Sequence, residues 1–153
     1  MTEMATVRVL LVSEAQEDHA YLRHLLADPR DGLPADCRWV LYSSHSVPSA
    51  LGVLADHQIP IVLSECELGP DTWRSMLGAL ASFPRPPLLI VVSRLDDECL
   101  WSEALNLGVY DVLAKPLAAE EVLRILGQAW LEWKQRHAAK RSWGARYKTV
   151  AVP

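Results

Sequence analysis

Gly108-Val109-Tyr110-Asp111-Val112-Leu113-Ala114-Lys115-Pro116 is the stretch on which the fold turns. Val109–Leu113 is a short apolar run with the length of one buried strand, and it ends on an ammonium group and a proline. About fifty residues earlier, Ile61-Val62-Leu63-Ser64-Glu65 repeats the design and ends on a carboxylate. An acid and a lysine at the ends of two apolar strands belong in one pocket.

Working outward, five such runs recur: Val7–Val12, Arg38–Tyr42, Ile59–Leu63, Leu88–Val92 and Val109–Leu113. Three of them are near-continuous, the mark of strands covered on both faces. Helical spacing fills the gaps. Tyr21, Leu22, Leu25 and Leu26 mark a first helix, stopped by Asp28-Pro29. Val47, Ala50, Leu51 and Leu54 mark a second, with Pro48 in its first turn. Trp73, Met76, Leu77 and Leu80 mark a third. Cys99, Leu100, Ala104 and Leu105 mark a fourth, closed near Gly108. Val122, Leu123, Leu126, Ala129, Trp130 and Trp133 mark a fifth. Alternating strands and helices predict right-handed crossovers and a parallel sheet between two helical layers. Five units suit the flavodoxin-like, doubly wound strand order 2-1-3-4-5, a three-layer α/β sandwich. Pro84-Arg85-Pro86-Pro87 is a stiff connector, and there are no internal repeats.

Composition narrows the function classes. A chain of 153 residues, half apolar and 22% charged, suits one globular domain. No apolar run reaches the ~20 residues a membrane helix needs. Met1-Thr2-Glu3-Met4 has no basic leader character. Cys37, Cys66 and Cys99 fit neither a disulfide framework nor a zinc pattern, so a cytoplasmic location is expected. The net charge of −4 is unevenly spread. Residues 1–129 carry 9 Lys+Arg against 18 Asp+Glu, a balance of −9; residues 130–153 carry 6 against 1, a balance of +5. The expected organisation is therefore an acidic α/β domain over 1–129 and a basic, Trp-containing helical extension over 130–153.

Ligands of open α/β sheets sit beyond the carboxyl ends of the strands, at the switch point. The residues there are Ser13-Glu14, Glu65, Ser93-Arg94 and Lys115-Pro116. Over about residues 6–129 this pattern resembles the receiver domain of bacterial two-component response regulators. Gly108–Pro116 is similar to the family's G-A-x-D-Y-L-x-K-P, and Ile90–Ser93 to its I-x-x-S/T. Pro60–Leu68 is similar to D-L-V-L-L-D-L-x-L, with Glu65 on the phosphoacceptor position, and Val12-Ser13-Glu14 to V-D-D. The resemblance implies an aspartate phosphorylated by a histidine kinase, Mg²⁺ on the acidic pair and the phosphoacceptor, and Lys and Ser/Thr on the acyl phosphate. Phosphoryl transfer relies on in-line positioning and charge neutralisation, much of it from the metal. In the family the Lys-Pro peptide is commonly cis.

The chain departs from that pattern at the residues that carry the chemistry. Glu65 adds a methylene to the phosphoacceptor. Ser13 replaces one of the paired acids, leaving Glu14. Val112 stands at the family's mobile aromatic, the switch position. Arg94 follows Ser93 where a small residue is usual, and Gly69-Pro70 alters the turn after Glu65. The expectation is a degenerate receiver, or pseudo-receiver, that is not an enzyme and has no resident cofactor. Glu14 and Glu65 remain the metal ligands only if Mg²⁺ binds weakly. Glu65 and Lys115 are expected to form a standing ion pair with Arg94 above. As an acyl-phosphate imitation Glu65 is incomplete, with one negative charge against about −1.5 to −2.

The expected partners are signalling proteins, a histidine kinase or an effector among them. The surfaces expected to meet them are the face of the fourth helix, fifth strand and fifth helix, including Leu105 and Tyr110, and the C-terminal helix, either of which also suits a homodimer. Two alternatives stay open: a phosphorylatable receiver that tolerates these changes, and a small-molecule-binding α/β domain. The second is disfavoured because Ser13–Asp18 has no glycine and is acidic, a poor phosphate cradle. Nucleic acid is disfavoured because no helix-turn-helix or winged-helix pattern fits the basic tail. The five histidines (His19, His24, His45, His57, His137) have no metal spacing and read as surface residues. Ser93 also reads as a strand-end cap, Cys66 as an inert thiol, and Asp96-Asp97-Glu98 as acids favouring the start of the fourth helix.

Overall fold

The computed structural model describes residues 4–27, 33–93 and 98–150, with the side chains of 98, 99 and 139–150 left aside. The strands are β1 (Ala5–Val12), β2 (Cys37–Ser44), β3 (Ile61–Glu65), β4 (Glu67–Leu68), β5 (Asp71–Thr72), β6 (Leu88–Ser93) and β7 (Asp111–Ala114). The helices are α1 (Gln16–Ala27), α2 (Val47–Asp56), α3 (Trp73–Leu80), α4 (Glu98–Leu107) and α5 (Ala119–Val150). The main sheet is parallel throughout, in the order β2-β1-β3-β6-β7. This is the flavodoxin-like 2-1-3-4-5 order. The short antiparallel pair β4 and β5 is an extra hairpin between β3 and α3.

Strand alternation sorts the core into two layers. Val7, Val9, Leu11, Ile61, Leu63, Ile90 and Leu113 pack with α1 and α5 on one face. Leu10, Val12, Val62, Leu89, Val91 and Val112 pack with α2, α3 and α4 on the other. The central strands β3 and β6 are buried along nearly their whole length, as continuous apolar runs require. Edge strand β2 is mostly half-buried.

The β4–β5 hairpin closes on Gly69-Pro70. Gly69 has φ of 68°, and Pro70 holds φ near −65°. Positive φ at the first central residue only is the requirement of a type II′ turn. Thr72 ends β5 and also caps α3: its side chain accepts from Arg74 N–H at 3.2 Å, while Ser75 Oγ accepts from Thr72 N–H at 3.3 Å. The altered turn is thus a built connection that runs straight into α3.

Helix α5 has 32 residues, about 48 Å at 1.5 Å per residue. An eight-residue strand such as β1 spans only about 27 Å. Since α5 starts at the carboxyl edge of the sheet and runs back, its later turns pass the opposite edge. The division at 129/130 falls inside this unbroken helix. Trp130 and Trp133 are buried with Trp39 in the α1–α5 layer, and Cys37 packs against it. Their rings stack 5.8 Å apart, and His137 meets Trp133 edge-on at 4.2 Å.

Two readings of α1 and the histidines change. His19 and His137 are buried, at 2% and 5% exposure; His24, His45 and His57 are at the surface. His19, Leu22 and Leu26 form the buried stripe of α1, at the i, i+3, i+7 spacing of one helix face. Tyr21 lies off that stripe and is 36% exposed.

Candidate functional site

Register and alternation bring the strand ends together. Val12 is level with Ser64, so Ser13 falls beside Glu65. Ser93 is level with Ala114, so Lys115 lies one step beyond; its N–H donates to the Ser93 carbonyl at 2.7 Å. Glu65 continues the alternation of Ile61 and Leu63, and Lys115 that of Leu113. Both therefore lie on the α1–α5 side of the sheet. Val112 lies on the other side, 1% exposed in the α2–α4 layer. Ser93, buried at 4%, alternates with Leu89 and Val91 toward that same layer.

On the α1 side, Lys115 Nζ donates to Glu65 Oε1 and also to Asp18 Oδ2. The three side chains are 13%, 17% and 16% exposed, respectively. The sequence reading missed Asp18. An acid in the first turn of a helix is explained equally well by the helix dipole, and only the packing of α1 over the strand ends gives it a partner. Lys115-Pro116 is cis. Arg94 lies outside the described residues, as do Asp96 and Asp97.

Ser13 is fully buried. Its Oγ accepts from the Ala15 N–H at 3.0 Å, a local turn contact. Its carbonyl accepts from two imidazoles, His19 Nε2 and His45 Nδ1, each at 2.9 Å. A carbonyl has no proton to give, so those nitrogens carry the hydrogens. In the neutral His19 ring this leaves Nδ1 to accept from the Ser43 hydroxyl at 2.9 Å. Ser43 Oγ also accepts from Arg23 at 3.3 Å. On the opposite flank, Tyr21 OH donates to the Leu117 carbonyl at 3.3 Å. Helix α1 is thus tied to the β2 end through His19 and Arg23, and to the β7–α5 connection through Asp18 and Tyr21.

Glu14 is exposed. Its carboxylate leans over the hairpin: a Cβ at Gly69 would lie 3.4 Å from Glu14 Oε1. Cys66 Sγ donates to the Val92 carbonyl at 3.5 Å, and the Cys66 carbonyl accepts from Trp73 N–H at 3.1 Å. The thiol next to Glu65 therefore ties to β6, while the Cys66 backbone carbonyl holds the start of α3.

Burial disfavours the charged form of Lys115, but the hydrogen bonds and charges of Asp18 and Glu65 outweigh it and raise its pKa above the ordinary lysine value. A raised folded-state pKa contributes stability that is complete below the unfolded value of about 10.4 and is lost as pH climbs through the folded one. The stability gap between the native chain and Lys115→Met is therefore expected to stay level from about pH 6 to pH 9 and to shrink above about pH 10. Urea titrations across that range measure it; a gap that closes already near neutrality contradicts the assignment.

Sheet order, the lysine after β7 with its cis proline, and the acid at the end of β3, one strand removed across β6, define a fold of the receiver type. The signal receiver domain of an HD domain-containing protein from Pseudomonas fluorescens superposes with a TM-score of 0.73 at 23% identity, over 90% of this chain and 95% of that one. A CheY-like response regulator receiver domain protein from Methanospirillum hungatei gives 0.72 at 14%, over 86% and 99%. A sensor protein from a Polaromonas species gives 0.70 at 19%, over 83% and 98%. The sequence matches no family model and no curated protein.

Proposed function

We propose that this chain is a receiver-type signalling module that works through protein contacts, without a phosphorylation cycle. The observation that carries the reading is the double engagement of Lys115 by Glu65 and Asp18. The group that would meet an acyl phosphate is already spent on two carboxylates. The triad has a net charge of −1, and a phosphoryl group would add about −1.5 to −2 beside it. The structures similar in fold come from proteins described as response regulators, a sensor protein and an HD domain-containing protein, which supports a place in signal transduction.

The donor set does not fit a resident Mg²⁺. That ion needs hard oxygens in near-octahedral array. Ser13 Oγ is engaged by a backbone N–H, and Glu65 is held by a cation that repels a second one. Among the described residues no three His, Cys, Asp or Glu side chains are grouped to hold a metal. We assign no step to a metal.

Contact surfaces of the expected kind are available. Leu105 and Leu107 on α4 are 46% and 54% exposed, and Leu131 on α5 is 49% exposed. No helix among the described residues is long and apolar enough to cross a membrane; a cytoplasmic site of action is part of this proposal. Beryllofluoride with Mg²⁺, a probe for a receptive phosphoacceptor pocket, tests the reading. The amide spectrum of the native chain is expected to show no saturable shifts at Glu65, Ser93 or Lys115. Saturable shifts there would favour a phosphorylatable receiver.

A further inference from the structure

We infer that Asp18 bars phosphoryl chemistry from this pocket, by holding Lys115 as a second carboxylate beside Glu65. This deepens the proposed function and rests on it. The extra methylene of Glu65 and the serine at position 13 are visible changes at the strand ends. Asp18 is a further carboxylate, from α1, on the ammonium group that Glu65 already holds.

An ammonium group has three N–H donors. Glu65 takes one and Asp18 a second. With Asp18 neutralised, one donor and its share of positive charge are released from that contact. With Asp18 present, an incoming phosphoryl group meets a carboxylate where it needs a cation. In effect the pocket has lost an acid at position 13, in the strand-end loop, and carries one at position 18, in the first turn of α1. The Ser13 hydroxyl is held by a backbone N–H, and the acid at position 18 faces the lysine.

The carboxylate of Asp18 is not free to swing aside by moving its helix. His19, the next residue, is buried and bonded at both ring nitrogens, to the Ser13 carbonyl and to Ser43. One turn on, Tyr21 reaches the Leu117 carbonyl and Arg23 reaches Ser43. Contacts on both flanks fix the rotation of α1 and so keep Asp18 over Lys115. The arrangement is preorganised, and breaking it requires a local opening of α1 against two strand ends.

The test compares Glu65→Asp with Glu65→Asp/Asp18→Asn in the full-length chain, using acetyl phosphate and Mg²⁺. In the reaction, a carboxylate oxygen at position 65 bonds to phosphorus, the bond from phosphorus to the acetate oxygen breaks, and acetate leaves with the electron pair. The shorter side chain restores the usual nucleophile in both proteins, so Asp18 is the only difference. The initial rate of adduct formation, read by intact mass, is expected to rise about tenfold or more when Asp18 is neutralised, equivalent to about 1.4 kcal/mol or more of barrier. Asn is close to isosteric; if that variant does not fold, Asp18→Ala in the same background gives the same comparison. Equal rates, or no adduct on either protein, overturn the role of Asp18. An adduct on the native chain overturns the proposed function instead, and the two failures are read from different samples.

Discussion

Replacing Lys115 by methionine is expected to lower the unfolding free energy by about 3 kcal/mol, toward the lower end of the range for removing one member of a buried ion pair. The side chains are 13–17% exposed, so water relieves part of the cost. The physical origin is what remains: Asp18 and Glu65 face each other with no cation between them. Removing the whole triad is a different experiment. Methionine at 115 with leucine at 18 and 65 leaves no stranded charge, and such replacements are often neutral or stabilising. Urea unfolding of the single and triple variants, with the m-value checked for constancy, separates the two cases. A loss below about 1 kcal/mol for the single variant, the range of an exposed pair, would mean that the triad is loose.

The second large effect lies at the opposite end of the molecule. Trp133→Ala is expected to cost about 3 kcal/mol, the order seen when a large aromatic is removed from a packed core. Trp133 is 9% exposed and belongs to the same cluster as Trp39, Ile61 and Leu126. If residues from 130 onward were a separate appendage, the change would fall within about 0.5 kcal/mol, as at an ordinary surface position. Thermal unfolding followed by far-ultraviolet circular dichroism reads the result. The chemistry of the pocket should be indifferent to it, because α5 carries Trp133 away from the strand ends.

The outcome at these two ends reflects what a linear sequence can and cannot carry. The five apolar runs and their spacing determine the sheet because continuous burial of β3 and β6 leaves few arrangements other than a covered parallel sheet. Glu65 and Lys115 were legible for the same reason: each ends a strand, and period-two alternation puts both on one face. Asp18 was not legible. It meets Lys115 across 97 residues, through the rotation of α1, which no local pattern specifies. His19 left a signal that could have been read, since it stands three and seven residues before Leu22 and Leu26 on one helical stripe. The apolar stripe of Trp130 and Trp133 was visible as helix periodicity. That they close the core against Trp39 and Cys37 depends on where β2 begins, on the far side of the chain. Arg94, expected above the pocket, lies outside the described residues.

Gly69-Pro70 shows a third kind of case. Read against the receiver pattern it is a displaced turn. Read as local chemistry, it is a two-residue hairpin whose geometry follows from one glycine and one proline, and it delivers Thr72 to the cap of α3. The departure from the pattern is therefore accommodated by its own turn chemistry and leaves the position of Glu65 intact.

The central claim is that Lys115 is held by Glu65 and Asp18, so that the pocket does not accept a phosphoryl group. Incubation of the native chain with acetyl phosphate and Mg²⁺, followed by intact mass and peptide mapping, addresses it most directly. The account predicts an unmodified mass at all times sampled. A stable phosphoryl adduct mapped to Glu65 would contradict it.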